Sequence, residues 1–245
     1  MGSRVSRRQW FRLRRREPAV VVCIPWRPTP DRLEAFSVVT ATYESLGLTV
    51  VTADSDPTLP FNLSQARNNA VTAAGYADVY VVSDADTFPN PEHLLNAIRV
   101  AHRRGHLVHL AARYWAELAD GNLPADPELY HAGGVVVVSR KALEAFGGWD
   151  ERFTGWGAED SAMLWKMATF GLYSEVDGDV FAFWHDRTGS WTDGVEAMVD
   201  ATVTFTDAPA DWAKNGPRPL PPLARAYRDA LGDPQRMLSV LDRRV

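Results

Sequence analysis

Two carboxylates one residue apart, Asp84 and Asp86, follow directly on the apolar run Val79–Val82. Hard carboxylate oxygens in that arrangement suit Mg2+ or Mn2+, and those ions are usually shared with a ligand's phosphates rather than caged by protein alone. The same pair also suits a turn, because aspartate favours caps and turns. Spacing decides little by itself, since twenty aspartates produce three such pairs. Asp177 and Asp179 flank Gly178 and read as a hairpin turn. Asp54 and Asp56 precede Pro57 and read as a turn, with Asp54 also able to accept a hydrogen bond from a nucleotide base or ribose. Only Asp84 and Asp86 sit at the end of a strongly strand-like run in the middle of the chain.

Other candidate groups are ambiguous alone. Glu159 and Asp160 open a helix, where the macrodipole favours charged carboxylates, so capping explains them without further chemistry. His185 follows an extended stretch and in isolation reads as a surface or satisfied histidine, as do His93, His102, His106, His109 and His131. One cysteine, Cys23, excludes a disulfide framework and any zinc site built from several thiolates.

The elements that must hold these groups alternate. Ala19–Ile24 is a valine-rich run suited to a strand covered on both faces, stopped by Pro25 and Pro28. A helix follows to Gly47, then a strand at Leu48–Thr52 and a helix from Asn62 to Ala74. Strand Val79–Val82, helix Pro91–Arg104 and strand Leu107–Ala111 come next. Strand Gly134–Val138, helices Ser139–Phe146 and Ala158–Phe170, and an extended stretch Leu172–Trp184 complete the body. Such alternation indicates an α/β domain with a mostly parallel central sheet flanked by helices, whose ligand lies outside the carboxyl ends of the strands. That rule brings Pro25 and Arg27, Asp54, and Asp84 with Asp86 to one crevice. Thr192–Phe205, Ala224–Leu231 and Pro234–Leu241 read as helices of a C-terminal extension around a proline-rich stretch.

At 245 residues and 46% hydrophobic content the chain is large enough for one sizeable core. No apolar run approaches the roughly 20 residues of a membrane span, and the basic start does not have the h-region of a secretory signal. Charge is uneven. Residues 1–18 carry seven arginines against Glu17, leaving 19 of the 26 basic and 30 of the 31 acidic residues, a net charge of -11, for the rest. The expected organisation is a basic arm at 1–17, an α/β domain at 18–190 and a helical extension at 191–245.

The stretch Tyr130–Leu164, YHAGGVVVVSRKALEAFGGWDERFTGWGAEDSAML, resembles metal-dependent glycosyltransferases of the GT-A fold. In particular it is similar to the β-1,4-galactosyltransferase-like and chondroitin-polymerase-like family-2 enzymes, with their Gly-Gly strand, W-D-E-x-F and G-W-G-x-E-D elements. Ala66-Arg67-Asn68-Asn69 stands where those families have A-R-N, Ser83-Asp84-Ala85-Asp86 where they have D-x-D, and His185 where a late histidine completes the metal site. The resemblance spans residues 18–190, and its specificity lies in the combination. It implies transfer of a hexosyl or N-acetylhexosaminyl group from a UDP-sugar to an acceptor hydroxyl, with Mn2+ or Mg2+ held by Asp84, Asp86 and His185. Pro25, Arg27, Asp54, Arg67 and Asp84 would contact the donor. Asp160 would be the general base of an inverting reaction, and Gly134, Trp156 and Glu159 would face the sugar or acceptor.

Ser161-Ala162 follow the E-D pair where the galactosyltransferase-like enzymes carry further acids, which loosens any carry-over of donor or acceptor identity. The acceptor stays open among glycan, lipid-linked sugar, protein and modified nucleic acid. The arginine arm suggests contact with an anionic surface, and the absence of the anchor typical of Golgi members leads to an expected cytoplasmic location. A catalytically silent glycan- or nucleotide-binding module and a nucleotidyltransferase remain as alternatives.

Overall fold

The computed structural model describes residues 17–116, 128–129, 133–154, 158–183 and 221–242. The basic arm, Trp156, His185 and the helix expected at 192–205 lie outside the described residues.

Valine runs build the centre. Strand β1 (Val20–Pro25) pairs in parallel with β2 (Thr49–Ala53) on one side and β3 (Val79–Ser83) on the other. Between them come helix α1 (Leu33–Ser45), entered through a 3-10 turn at Pro30–Arg32, and helix α2 (Leu63–Ala74). Asn62 caps α2 by accepting a bond from Gln65 N at 2.9 Å, which satisfies one of the amides a helix start leaves free. Strand β4 (Thr87–Pro89), helix α3 (Pro91–Arg104) and strand β5 (Leu107–Ala116) follow, then β6 (Glu128–Leu129), β7 (Val135–Ser139) and α4 (Arg140–Phe146). Helix α5 (Glu159–Thr169), strand β8 (Tyr173–Phe183) and the C-terminal helices α6 (Pro222–Asp229) and α7 (Pro234–Asp242) complete the described chain.

The α/β class and the flanking helices stand as expected, but the parallel share of the sheet is smaller. Its order is β2-β1-β3-β7-β5-β8-β4, with β6 added on β5. The pairings β1·β2, β1·β3 and β5·β8 are parallel, whereas β3·β7, β5·β7, β4·β8 and β5·β6 are antiparallel. A fully buried strand shows the same apolar run whichever way it points, so Val135–Val138 carried no sign of direction. Reversal of β7 brings its first residues, rather than its last, to the carboxyl ends of β1, β2 and β3.

Asp177-Gly178-Asp179 is not a hairpin turn. It lies within β8, where the register against β5 slips between Leu110 and Ala112. Gly178 sits against the Leu110 side chain there, so a strand continues through residues that favour turns because a Cβ would not fit at its bulge.

Two apolar layers cover the sheet. One joins Val22, Ile24, Val79 and Val81 to Val39, Tyr43, Leu94 and Ile98 of α1 and α3. The other joins Tyr80, Val82, Val136 and Val138 to Ala70, Met163 and Met167 of α2 and α5, with Trp149. Cys23 is buried in β1, and burial pushes its thiol up to about 12, so it behaves as a small core residue. No helix among the described residues is long and apolar enough to cross a membrane.

Candidate active site

The strand ends converge as the α/β rule requires. Pro25 closes the β1 pairing opposite Ala53, and Trp26 N donates to Ala53 O at 2.8 Å. Arg27 then turns onto the loop after β2. Its Nε reaches both oxygens of Asp54 (3.0 and 2.8 Å), while its other nitrogens donate to Leu59 O, Ser55 Oγ and Asp56 O. Arg27 and Asp54 thus form one edge of the crevice, with the Arg27 guanidinium 5.4 Å from the Phe61 ring centroid.

At the end of β3, Asp84 N donates to Gly134 O at 2.8 Å, and Thr87 Oγ1 donates to the same carbonyl at 2.9 Å. Gly134 has φ of +97°, a conformation that suits glycine and lets its carbonyl serve both donors. Asp86 is buried, and its backbone carbonyl accepts from Phe183 N at 2.9 Å. The end of β8 is therefore tied to the acidic pair two residues before His185.

Arg67 joins the halves of the site. Its side chain, only 3% exposed, leaves α2 and lies between acids from distant parts of the sequence. Nη2 donates to Asp84 Oδ1 at 2.8 Å, Nη1 donates to Asp160 Oδ1 at 2.6 Å, and Nη1 stands 3.8 Å from Glu159 Oε1. Burial alone would lower the guanidinium, but Asp160, Asp84 and Glu159 more than offset it and hold Arg67 above its ordinary value. The same geometry splits the acids. Asp84 and Asp160 receive direct charge-assisted bonds, whereas Glu159, buried and beside Asp160, does not reach bonding distance. Burial, then the Asp160 charge, push Glu159 up from 4.5 to about 7 against the pull of Arg67.

Gly133, Asn68 and Lys166 matter to this arrangement without having been singled out from the sequence. A Cβ at Gly133 would lie 2.5 Å from Asp160 Oδ2, so the first glycine of the Gly-Gly pair makes room for that carboxylate. Asn68 accepts from Trp149 N at 2.9 Å and donates to Trp149 O at 2.9 Å, fastening the W-D-E stretch to α2. Lys166, buried on α5, donates to Gly147 O and Gly148 O, which secures the turn just before it. The doubled glycines and the A-R-N-N run were the available signals; the partners were not, because they lie far away in sequence.

Of the residues singled out from the sequence, the structure brings Arg67, Asp84, Gly134, Glu159 and Asp160 into one cluster. Asp86 lies on the same turn, and Pro25, Arg27 and Asp54 form the neighbouring edge. Trp156 and His185 lie outside the described residues. Among the described residues no group of three His, Cys, Asp or Glu side chains is arranged to hold a metal ion.

Residues 126–177 match the family model described as the N-terminal domain of galactosyltransferase. The matched segment contains Gly133, Gly134, Glu159 and Asp160 but not Arg67, Asp84 or Asp86. No curated protein matches the chain in sequence. Among solved structures it is similar to the catalytic domain of Drosophila beta1,4-galactosyltransferase 7 in complex with xylobiose, at TM-score 0.48 and 17% identity over 71% of this chain and 68% of that one. A mutant of that enzyme in complex with manganese, UDP-Gal and xylobiose gives TM-score 0.48 and 16% identity over 77% and 76% of the two chains. A mannosyltransferase from Pyrobaculum calidifontis in complex with GDP-Man and Mn2+ gives TM-score 0.46 and 15% identity over 93% and 74%.

Two outcomes follow from the cluster. Replacing Arg67 with methionine should cost about 3–5 kcal/mol, because it takes a buried cation from the part-buried Asp84 and Asp160 and from the buried Glu159. Urea denaturation at neutral pH reads this, and a loss below about 1 kcal/mol would refute the bridging role. For Glu159 the sign is set by its raised value. Between 4.5 and about 7 the folded protein retains a proton the unfolded chain has lost, so this group's contribution to stability falls as pH rises through that window. The gain in melting temperature of Glu159→Gln over the wild type should therefore be larger at about pH 8 than at about pH 5, and equal gains at both would count against it.

Proposed function

We propose that the protein is a metal-dependent, inverting glycosyltransferase that moves a sugar from a UDP-sugar to an acceptor hydroxyl. The observation that carries this reading is the Arg67 bridge. It sets Asp84, at the end of a central strand, and Asp160, at the head of α5, on a single guanidinium. An acidic pair for the donor and a carboxylate for the acceptor then face the same crevice.

The chemistry of the donor set fits a hard divalent cation. Asp86 and His185 would hold it, with Asp84 supporting the ribose or a metal-bound water. When bound, the ion would offset the charge of the leaving diphosphate. Asp84 spends one oxygen on Arg67 and, with its side chain 25% exposed, keeps the other for a ligand. Pro25, Arg27 and Asp54 form the edge that would take the uridine.

Asp160 is the group that would receive the acceptor's proton. Its carboxylate is fixed in place by Arg67 on one side and by the absent side chain of Gly133 on the other, and it remains 18% exposed. As the acceptor O–H bond breaks toward Asp160, that oxygen attacks the anomeric carbon from the face opposite the nucleotide. The bond from the anomeric carbon to the diphosphate oxygen breaks as the new one forms, and its electron pair leaves with UDP. A positioned base of this kind contributes typically about 10²–10⁴-fold. Glu159, more deeply buried, would shape the acceptor side, and Trp156 would offer a ring for the sugar's C–H face.

Incubation with a panel of UDP-sugars and acceptors, with and without Mn2+, tests the reading by UDP release. Asp86→Ala should abolish donor binding. Asp160→Asn should bind donor as the wild type does and lose transfer by about 10²–10⁴-fold. A fully active Asp160→Asn would remove Asp160 from the role of base, and pyrophosphate in place of UDP would identify nucleotidyl transfer instead.

A further inference from the structure

The two C-terminal helices carry no motif, yet they attach to the residues that lead into Asp160. Asp150 is buried, and its carboxylate collects a tight set of donors. Oδ1 accepts from Arg152 N at 3.1 Å and Arg152 Nε at 3.0 Å, while Oδ2 accepts from Arg152 Nη2 at 2.6 Å and from Tyr227 OH, on α6, at 2.7 Å. Arg152 Nη2 also donates to Val240 O, on α7, at 2.9 Å. One short stretch thereby ties both helices to the body.

Apolar contacts repeat the attachment on the far side of Asp160. Phe153, Ala162, Ala224, Tyr227, Ala230, Met237 and Val240 form one buried cluster, with Ala158 packed against it. Ala158 is the single non-glycine among the described residues with positive φ, at +68°, a conformation that is strained for an alanine. Its place as the residue before Glu159 makes the packing of α6 and α7 part of what holds the head of α5. On the opposite face the same stretch is held by α2, since Asn68 bonds both Trp149 and Glu151.

We infer that α6 and α7 belong to the transfer site as a clamp that fixes Asp160, with Tyr227 and Arg152 as positioning residues acting through Asp150. The inference rests on the role proposed above for Asp160. A buried carboxylate needs its donors, so loss of one loosens the stretch rather than the whole sheet. Burial would raise Asp150, but the bonds from Arg152 and Tyr227 overcome it and hold the group below the ordinary aspartate range, in keeping with a firmly made contact.

Tyr227→Phe in the full chain tests this, since it keeps the ring against Phe153 and removes only the hydroxyl. Amide exchange of residues 150–154 and 158–163 should accelerate by about tenfold, with β1 and β3 unchanged. UDP binding with Mn2+ should stay within about twofold of the wild type while kcat for transfer falls by about tenfold or more. Arg152→Lys, which retains the charge but cannot serve both Asp150 and Val240 O, should behave alike. Unchanged exchange at 150–163 in both variants would overturn the clamp. So would faster exchange with an unaltered transfer rate, because the helices would then be structural only. If the wild-type chain transfers no sugar from any donor, the functional reading fails by itself, and the exchange measurement alone decides whether α6 and α7 hold the head of α5.

Discussion

A single buried guanidinium bonds two carboxylates and stands 3.8 Å from a third, and the rest of the site is arranged around that constraint. Removing ions from water is costly, so a buried cation persists only where opposite charge and hydrogen bonds surround it. Arg67 meets the condition by reaching Asp84 and Asp160 at 2.8 and 2.6 Å. Those two residues sit at the end of β3 and at the head of α5, so the ion pairs tie together two elements distant in sequence. The planar fork of arginine serves two acids at once, which the point charge of lysine does not. The third acid, Glu159, stands 3.8 Å from the guanidinium, and its burial, then the neighbouring Asp160 charge, raise it despite that cation.

The stretch from Gly147 to Phe153 acts as the common fastening of this arrangement. Lys166 holds its start, Asn68 its middle from the side of α2, and Tyr227 with Arg152 its middle from the side of the C-terminal helices. Trp149 lies beneath, in the apolar layer, with its ring centroid 5.6 Å from the Arg67 guanidinium. Four helices, α2, α5, α6 and α7, thus bear on seven residues that precede the acids of α5.

Much of the framework was legible in the residues. Valine runs marked β1, β3 and β7, Asn62 or Ser64 the start of α2, and Pro91 with Gly105 both ends of α3, because strand burial and helix-end preferences act over a few neighbouring positions. The place of Asp84 and Asp86 at a strand end was likewise local. What escaped was long-range. The direction of β7 depends on a partner strand more than fifty residues earlier, and β4 is three residues long with a proline at its end. The Asp177-Gly178-Asp179 bulge used turn residues inside a strand, since packing against Leu110 outweighs their local preference. The C-terminal helices looked empty of chemistry because their contribution is made through Asp150, 77 residues from Tyr227.

The reversed direction of β7 also has a topological consequence. β5 runs parallel to β3 and ends at the crevice, and β7 begins there, so the connection between Ala116 and Gly133 leaves and re-enters the fold on one rim. A change in its length would leave both strands in register, because loop closure costs only about 0.6 kcal/mol per doubling. The core and the Arg67 bridge, built from other segments, would be untouched by such a change. The fold therefore separates the elements that carry the Arg67 bridge from the connection that joins β5 to β7, so that the second can vary in length while the first stay fixed.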